Sequence, residues 1–358
     1  MTIFKRILKI ALIAVIALVL IVGGYVAYYL LSYHRIEDNL TLTVCNNQTE
    51  KAKIGVEYKI ASYNVGFGAY LPDFGFFMDG GTEGRARSKD SVKSAVNGTI
   101  AQLSAFNPDI IFVQEVDEKA TRSYGVNERD IYLDAFKNYS SSYAINYDSA
   151  YLLYPFHSPL GAAKSGILTF SKFEVTSSLR RSFPVETGFS KYFDLDRCYS
   201  VSRVPTENGK ELVLYAIHLS AYTSDGKIAD EQFKMLVDDM SCEYEKGNYV
   251  VCGGDFNKDL LGDSSKIFGV SGEDYTWAQP IKEEFLQGSG LNLVKPFDEE
   301  KPIPTCRNAD GPYNENQFVL TIDGFIVSDN VTVVESDVLA DGFLYSDHNP
   351  VYAKIILN

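Results

Sequence analysis

The sequence predicts a layered α/β domain, in which one β-sheet packs on another and helices lie outside, preceded by one N-terminal transmembrane helix. Apolar segments of strand length outnumber the helical patterns, and the helices are interleaved with the strands. Hydrophobic residues make up 46% of the 358 residues, which is enough to bury a sizeable core. No long Pro- or Ser-rich linker marks an internal domain boundary.

The N-terminal segment from Ile10 to Tyr33 contains no charged residue and is long enough to cross a bilayer as a helix. A cleavable signal peptide has a shorter apolar region, so cleavage after Gly23-Gly24 is the less favoured alternative. Basic residues precede the segment, and the positive-inside rule then places the N-terminus in the cytoplasm. We expect a single-pass protein of the cell membrane with four parts: a cytoplasmic N-terminus at 1–9, a transmembrane signal anchor at 10–33, a lead-in at 34–57 and an extracytoplasmic catalytic domain at 58–358.

The first half of the domain begins with a predicted strand at 59–65. A Gly-rich, aromatic loop follows at 66–87, and loops of this length are usually functional or mobile. Apolar residues three or four apart predict a helix at 91–106, which an Asn-Pro-Asp sequence ends. A buried strand at 110–115 then has a carboxylate, Glu115, at its end.

The second half contains another helix, predicted at 229–244 because its apolar residues share one face. The other segments of this half are apolar runs of strand length. These strands are predicted at 166–171, 211–218, 249–253, 319–327 and 351–357.

Net charge is −14, which argues against sequence-independent nucleic-acid binding through a basic surface. It does not exclude a nuclease, because a local cationic patch or a bound metal can invert the local field. The five cysteines are scattered without zinc-type spacing. Most are expected to be small buried apolar residues, most clearly Cys252.

Polar residues gather where the predicted strands end. Asp255 and Asn257 follow one apolar strand in a Gly-Gly-Asp-Phe-Asn sequence, and His348 lies in a Ser-Asp-His-Asn-Pro sequence just before the last strand. Strand ends at one rim of a sheet are where α/β enzymes place their sites. Each motif taken singly could be an ordinary turn or loop. Together they predict a hydrolase that holds a hard metal ion through carboxylate and amide oxygens.

As an ordered set, these motifs resemble the endonuclease/exonuclease/phosphatase superfamily over residues 58–358. That family includes secreted deoxyribonucleases, abasic-site endonucleases, inositol polyphosphate 5-phosphatases and neutral sphingomyelinases. The resemblance implies a four-layer α/β sandwich, two packed mixed sheets flanked by helices, and hydrolysis of phosphoric esters. The matching residues are Asn64, Glu115, His218, Asp255-x-Asn257, Asp323 and Ser346-Asp347-His348.

The resemblance also implies a role for each residue. Asn64, Glu115 and Asp347 would lie on the side of a metal, Mg²⁺ with Mn²⁺ or Ca²⁺ as alternatives. Asp255 would orient or deprotonate the attacking water. Asn257 would hold the water or a phosphoryl oxygen. His348 would contact phosphoryl oxygens or act as a base, with Asp323 orienting it. His218 would stabilise the developing charge or protonate the leaving group.

Other polar residues are candidates for substrate binding. Arg122 and Tyr124 follow the strand end at Glu115, and Lys164 opens a later strand. A solvated protein surface is the alternative for such cations. The aromatic residues of the 66–87 loop could meet a lipid or a base, or could form a local core under the loop.

The leading hypothesis is a membrane-anchored, divalent-metal-dependent phosphodiesterase or phosphatase that acts outside the cytoplasm. Phospholipid headgroups, nucleic acids and small phosphoesters compete as substrates, and no obligate protein partner is evident. We recognise no clear hydrophobic hairpin in the sequence, which weakens a specific sphingomyelinase hypothesis. The alternatives are an extracytoplasmic nuclease of the same superfamily and an inactive, anchored binding protein.

Overall fold

The computed structural model describes residues 3–188, 191, 196–221, 226–270 and 278–358. The α-helices are α1 (Ile3–Ser32), α2 (Lys89–Phe106), α3 (Glu128–Ala135), α4 (Lys227–Glu245) and α5 (Ser264–Phe268). The strands are β1 (Leu40–Thr41), β2 (Glu57–Asn64), β3 (Ile110–Asp117), β4 (Ser140–Leu152), β5 (Gly161–Ser171), β6 (Ser177–Ser182), β7 (Cys198–Pro205), β8 (Glu211–His218), β9 (Tyr249–Asp255), β10 (Leu291–Val294), β11 (Cys306–Arg307), β12 (Val319–Leu320), β13 (Asp323–Ser328), β14 (Val331–Val338) and β15 (Val351–Leu357).

Two mixed sheets form the centre of the domain. One has the strand order β1-β6-β7-β8-β9-β13-β10, and the other has the order β14-β15-β2-β3-β5-β4. Among the described residues, each sheet contains one parallel pair at its middle, β8 with β9 and β2 with β3. The fold is therefore the α/β sandwich that the sequence predicts, with two mixed sheets flanked by helices.

Alternation along the central strands divides the core into layers. Ile60, Leu214 and Val251 belong to the cluster between the two sheets, whereas their neighbours on the opposite faces pack against helices. This alternation matters for function, because the side chains that end the inward-facing rows remain at one rim of the sandwich.

Helix α2 illustrates how local sequence sets an element. Ser88 caps its N-terminus, and the Ser88 side chain accepts a hydrogen bond from the backbone of Ser91 in a reciprocal capping box. Asn107 caps its C-terminus in a left-handed conformation with φ of 53°. Val92, Val96 and the other residues of its apolar stripe are buried against the six-stranded sheet.

The predicted strand at 319–327 is wrong as one element. Val319–Leu320 pairs with β11, whereas Asp323–Ser328 pairs with β9. Two different partners require the chain to change direction between them. Several strands were not predicted, including β6. Its sequence Ser-Ser-Leu-Arg-Arg-Ser lacks an apolar run, and it forms a strand because β1 and β7 pair with it on either side.

The N-terminal helix α1 is long and apolar enough to cross a membrane, and its most apolar window is fully exposed. A signal sequence passes the same test. Part of the predicted 34–57 lead-in, the strand β1, joins the edge of the seven-stranded sheet beside β6.

Candidate active site

Strand register brings three candidate residues side by side. His218 of β8 lies opposite Asp255 of β9, and Asp255 lies opposite Asp323 of β13. Each side chain continues the row of its strand that faces the space between the sheets. The Nε2 atom of His218 is 3.5 Å from the Oδ2 atom of Asp255, and all three side chains are buried.

An irregularity in β3 brings Glu115 to the same place. The pairing of β3 with β5 shifts between Val113 and Val116, and Glu115 has a left-handed φ of 58°. The bulge turns its carboxylate toward the site. Asn64 Nδ2 donates to Glu115 Oε1 at 3.2 Å, and His218 Nε2 lies 3.9 Å from the same oxygen.

Asn64 connects the two carboxylates instead of presenting its own oxygen. Its Nδ2 atom also donates to Asp255 Oδ2 at 3.0 Å, and its Oδ1 atom accepts from the backbone nitrogen of Gly66 at 3.1 Å. The predicted role as a metal ligand would require the amide to turn and Gly66 to lose its acceptor. In this arrangement Asn64 positions Glu115 and Asp255.

The Ser346–His348 segment, which precedes β15 of the six-stranded sheet, closes the site opposite the strand ends of the seven-stranded sheet. Ser346 Oγ donates to the backbone oxygen of Asn64 at 2.8 Å, which fixes this segment to the end of β2. His348 Nδ1 lies 2.8 Å from Asp323 Oδ2, and His348 Nε2 lies 3.8 Å from Asp255 Oδ2. Since a carboxylate only accepts, Nδ1 is the donor and Nε2 faces the site.

Burial and mutual repulsion perturb the acids of the site. Burial, with Asp323 next to it, raises the pKa of Asp255 to about 7. Burial also raises the pKa of Asp347 to about 6, an effect that His348 opposes and Glu115 reinforces. Acids that hold protons near neutral pH mark a place where negative charge lacks compensation.

The two histidines are driven in opposite directions. Burial lowers the pKa of His218 well below its usual value, and the positive Arg197 lowers it further. Burial acts in the same sense on His348, but the charge and hydrogen bond of Asp323 outweigh it and raise that pKa well above its usual value. His218 is therefore neutral and His348 is cationic at neutral pH.

The donor set fits a divalent cation. Two groups of possible ligand atoms each lie within 4.8 Å of one another, Asp255 with Asp323 and His348, and Asp347 with Cys306 and His348. Their carboxylates are the available donors because His348 is protonated, and Glu115 is near enough to raise the pKa of Asp347. Asp323 Oδ1 is buried without a hydrogen-bond partner among the described residues. Clustered carboxylate oxygens suit Mg²⁺, Mn²⁺ or Ca²⁺, and the raised acid pKa values show where such a charge would be stabilised.

These groups, except Asp323, line the inner, buried end of a large cavity of about 1160 Å³. The inner end also contains Arg122, Arg197 and Arg307. Aromatic and aliphatic side chains form its walls, and Phe67, Tyr70 and the others come mostly from the loop after β2 and from the connection between β4 and β5. The site thus joins an acidic and basic centre to an apolar chamber.

The sequence model of the Endonuclease/Exonuclease/phosphatase family matches residues 61–348, from β2 to the catalytic histidine candidate. The chain belongs to this family. No curated protein sequence matches it at a significant level.

Solved structures of family members share the fold. The endonuclease/exonuclease/phosphatase from Beutenbergia cavernae superposes with a TM-score of 0.59 and 17% identity, over 84% of this chain and 72% of that one. ANGEL2, a 2′,3′-cyclic phosphatase crystallised with adenosine-2′,3′-vanadate, gives 0.55 and 17%, over 90% and 99%. The human Nocturnin catalytic domain with bound sulfate gives 0.54 and 14%, over 88% and 98%. At these identities the likeness shows the fold alone.

Of the three predicted substrate-binding residues, one lines the cavity and two do not. Arg122 lines the cavity, where it pairs with Asp117 at 2.8 Å and lies over the Phe67 ring at 3.8 Å from its centroid. Tyr124 and Lys164 are not among the described residues that line the cavity. The Tyr124 hydroxyl donates to a backbone oxygen of the 66–87 loop, and Lys164 forms an ion pair with a neighbouring glutamate.

Sequence reasoning missed several polar residues of the cavity. Arg197, Arg307 and Asn308 all line it. Arg307 is buried on β11, and its guanidinium donates to the backbone oxygens of Gly311 and Leu71. Neither arginine lies beside an apolar run, so no periodic pattern singled them out. The bridge between Cys306 and His348 brings Arg307 to the site.

The aromatic residues of the 66–87 loop are both core and cavity wall. Phe74 is fully buried, and its ring centroid lies 4.9 Å from that of Tyr70. Tyr70, Phe76 and Phe77 also border the cavity. The two alternatives considered from the sequence are therefore compatible, because one side of the cluster supports the loop and the other faces the chamber.

Proposed function

We propose that this chain is a membrane-anchored, divalent-metal-dependent hydrolase of phosphoric esters that acts outside the cytoplasm. One observation supports this most strongly: a buried, in-register row of His218, Asp255 and Asp323 meets His348, Glu115 and Asp347 at one end of a large cavity. Phosphoester hydrolysis needs a positioned base, donors for the phosphoryl oxygens and a cation, and this set can supply the first two and hold the third.

Glu115 and Asp347 are the residues that would hold the cation, with Asn64 positioning Glu115. Mg²⁺ is the first choice, and Mn²⁺ or Ca²⁺ are alternatives, because the donors are oxygens. When bound, the ion would neutralise charge on the phosphoryl group and polarise its P–O bond.

Asp255 is placed to act on the attacking water. Its Oδ1 atom accepts from the backbone nitrogen of Asn257 at 2.8 Å, and its Oδ2 atom accepts from Asn64. These contacts fix the direction of the carboxylate. A pKa near 7 suits a general base, because such a group can take a proton at neutral pH and release it again.

The histidines would stabilise the phosphoryl oxygens and the leaving group. His348, held cationic by Asp323, presents Nε2–H to the cavity and would donate to a phosphoryl oxygen. Neutral His218, with Nε2 beside Asp255 and Glu115, would stabilise charge developing on the leaving oxygen. Asn257 donates through Nδ2 to the backbone oxygen of Leu219, so its part is to order the loop beside Asp255.

The exposed, uncharged segment of α1 supports an uncleaved anchor, and the basic residues before it support an extracytoplasmic domain. Protease added to intact cells should degrade the domain if it lies outside, and N-terminal sequencing of the mature protein should find residue 1 or 2. Protection of the domain until cells are permeabilised would reverse the proposed orientation. An N-terminus near residue 25 would replace the anchor by a signal sequence.

The hydrolase proposal is tested on the full chain in detergent. The substrates are bis(p-nitrophenyl) phosphate, a diester, and p-nitrophenyl phosphate, a monoester. We expect turnover with Mg²⁺ or Mn²⁺, loss with EDTA, and a decrease of about 10²–10⁴-fold in Asp255→Asn and His348→Gln. Glu335→Gln, which alters an exposed ion pair on β14, is the matched control and should keep full activity. Absence of turnover with every metal would favour an inactive binding protein, and cleavage of plasmid DNA alone would favour the nuclease alternative.

A further inference from the structure

The mouth of the cavity is bordered by large apolar side chains that are open to solvent. Phe156 is 81% exposed, Tyr154 61% and Met78 51%, and Leu153 is exposed beside them. All four line the cavity that contains the site. We call these four residues the apolar rim. Clustered, exposed apolar residues at a cavity mouth mark a surface that meets a protein or a membrane.

The rim is attached to the N-terminal helix. Tyr25 Oη donates to the backbone oxygen of Tyr151 at 3.0 Å and accepts from the backbone nitrogen of Leu153 at 3.3 Å. Tyr28 Oη accepts from the backbone nitrogen of Tyr151 at 3.2 Å. Three hydrogen bonds therefore hold the end of β4 and the start of its connection to β5 against α1, and the rim residues Leu153, Tyr154 and Phe156 belong to this attached connection.

The same helix forms part of the cavity wall. Ile21, Val22 and Tyr25 line the cavity together with the apolar rim. Ile21 precedes the end of α1 at Ser32 by about 16 Å of helix rise. If α1 spans a bilayer whose hydrocarbon core is about 30 Å thick, a chamber bordered by Ile21 extends below the membrane surface. The mouth then opens toward lipid.

The opposite end of the chamber is suited to a phosphate. Arg197 and Arg307 line it together with His348, and Arg122, whose charge is paired with Asp117, lies beside them. Arg307 donates to backbone oxygens, so its charge remains available to an anion. An apolar chamber that ends in arginines matches a molecule with acyl chains and one phosphoester. The net charge of −14 disfavours a long polyanion.

We propose that the substrate is a membrane phospholipid, drawn from the bilayer across the apolar rim with its acyl chains held between the rim and α1. This inference rests on the proposed hydrolase function and adds the substrate class to it. Water oxygen forms a bond to phosphorus, the P–O bond to the leaving alcohol breaks, and a proton from the water ends on that alcohol. No co-reactant other than water is needed.

Turnover is measured with the full chain reconstituted in vesicles of phosphatidylcholine and phosphatidylglycerol, against bis(p-nitrophenyl) phosphate and plasmid DNA. The readout is the ratio of lipid turnover to turnover of the soluble diester. We expect this ratio to fall by about tenfold or more in the double variant Leu153→Ser/Phe156→Ser, because apolar side chains lose favourable transfer into lipid. Val334→Ser, at a 50% exposed position on β14 away from the cavity, should leave the ratio unchanged.

The outcomes separate this inference from the hydrolase proposal. Turnover of the soluble diester without lipid turnover, or an unchanged ratio in the double variant, overturns the lipid substrate and leaves the hydrolase standing. Preferred cleavage of DNA overturns it in favour of a nuclease. If no ester is cleaved, the hydrolase proposal itself fails.

A second measurement does not depend on catalysis. Phe156→Trp in vesicles that contain brominated phosphatidylcholine should lose more fluorescence than Val334→Trp, after subtraction of the signal from the single native Trp. Equal quenching of the two variants would show that the rim does not enter the bilayer, and would overturn the proposed route.

Discussion

Asp323 Oδ2 lies 2.8 Å from Nδ1 of His348, and both side chains are buried at the rim of the sandwich. The two residues come from different sheets, since Asp323 begins β13 and His348 precedes β15. Their contact therefore requires the complete sandwich. It also fixes the imidazole so that Nε2 faces Asp255, which gives the histidine a defined direction as well as a charge.

Replacing Asp323 with Asn should lower turnover by about a hundredfold or more, because His348 loses the group that keeps it cationic and oriented. The pKa of His348 should fall, so the alkaline limb of the kcat/KM profile should move to lower pH. The profile is measured from pH 5 to 9, with Glu335→Gln as control. A uniform loss with an unshifted limb would assign Asp323 a purely structural part.

Metal affinity should rise with pH. Asp347, one of the two proposed ligands, has a pKa raised to about 6, so a proton occupies it in the metal-free protein at slightly acidic pH. A cation must displace that proton, and its apparent affinity should increase from pH 5 to 7 before levelling off. Calorimetric titration with Mn²⁺ in buffers of different ionisation enthalpy measures the released protons. Affinity independent of pH over this range would contradict the assigned ligands.

A network of charged residues away from the site allows a prediction about the free energy of unfolding. Burial alone would raise the pKa of Glu243, but hydrogen bonds from Arg203, Lys246 and Asn248 lower it to about 2. A carboxyl with a lowered folded-state pKa stabilises the protein above its unfolded value near 4.5, and this contribution disappears as pH falls toward 2. Glu243→Gln should therefore lower the free energy of unfolding at pH 7 by roughly 1.5–3 kcal/mol.

Urea unfolding of the wild type and Glu243→Gln at several pH values checks this sign. The difference between the two should shrink steadily from pH 5 to 2.5. Glu335→Gln removes an exposed pair and should change stability little at any pH. A difference that grows on acidification would contradict the network.

Arg122 should stabilise the folded protein in addition to lining the cavity. It makes two hydrogen bonds to Asp117, which is fully buried, and Ser123 donates to the same carboxylate. Arg122→Met would leave that carboxylate without its cation, at a cost of about 3–5 kcal/mol. Thermal unfolding measures the loss, and Asp117→Asn combined with Arg122→Met should recover part of it. Full stability of the single variant would show that Asp117 is compensated elsewhere.

Local sequence was sufficient for the elements with strong patterns. The apolar stripe of α2, the buried run of β3 and the uncharged segment of α1 each correspond to an element of the structure. The strand β6 and the split between β12 and β13 could not be predicted in this way, because their partners lie far away in sequence. A strand that obtains its hydrogen bonds and burial from distant segments needs little apolar signal of its own.

By itself, the sequence determined the class of the fold, the family motifs and the order of Asn64, Glu115, His218, Asp255 and His348 along the chain. Only the tertiary structure decided how these residues act together. The bulge at Glu115 turns its carboxylate, Asn64 uses its amide nitrogen on two acids, and Arg307 reaches the site through a short strand. The apolar rim likewise lies beside α1 only in the folded chain, because Tyr25 bonds to a hairpin more than a hundred residues away. Such features depend on distances between segments, and one-dimensional patterns contain no information about those distances beyond periodicity.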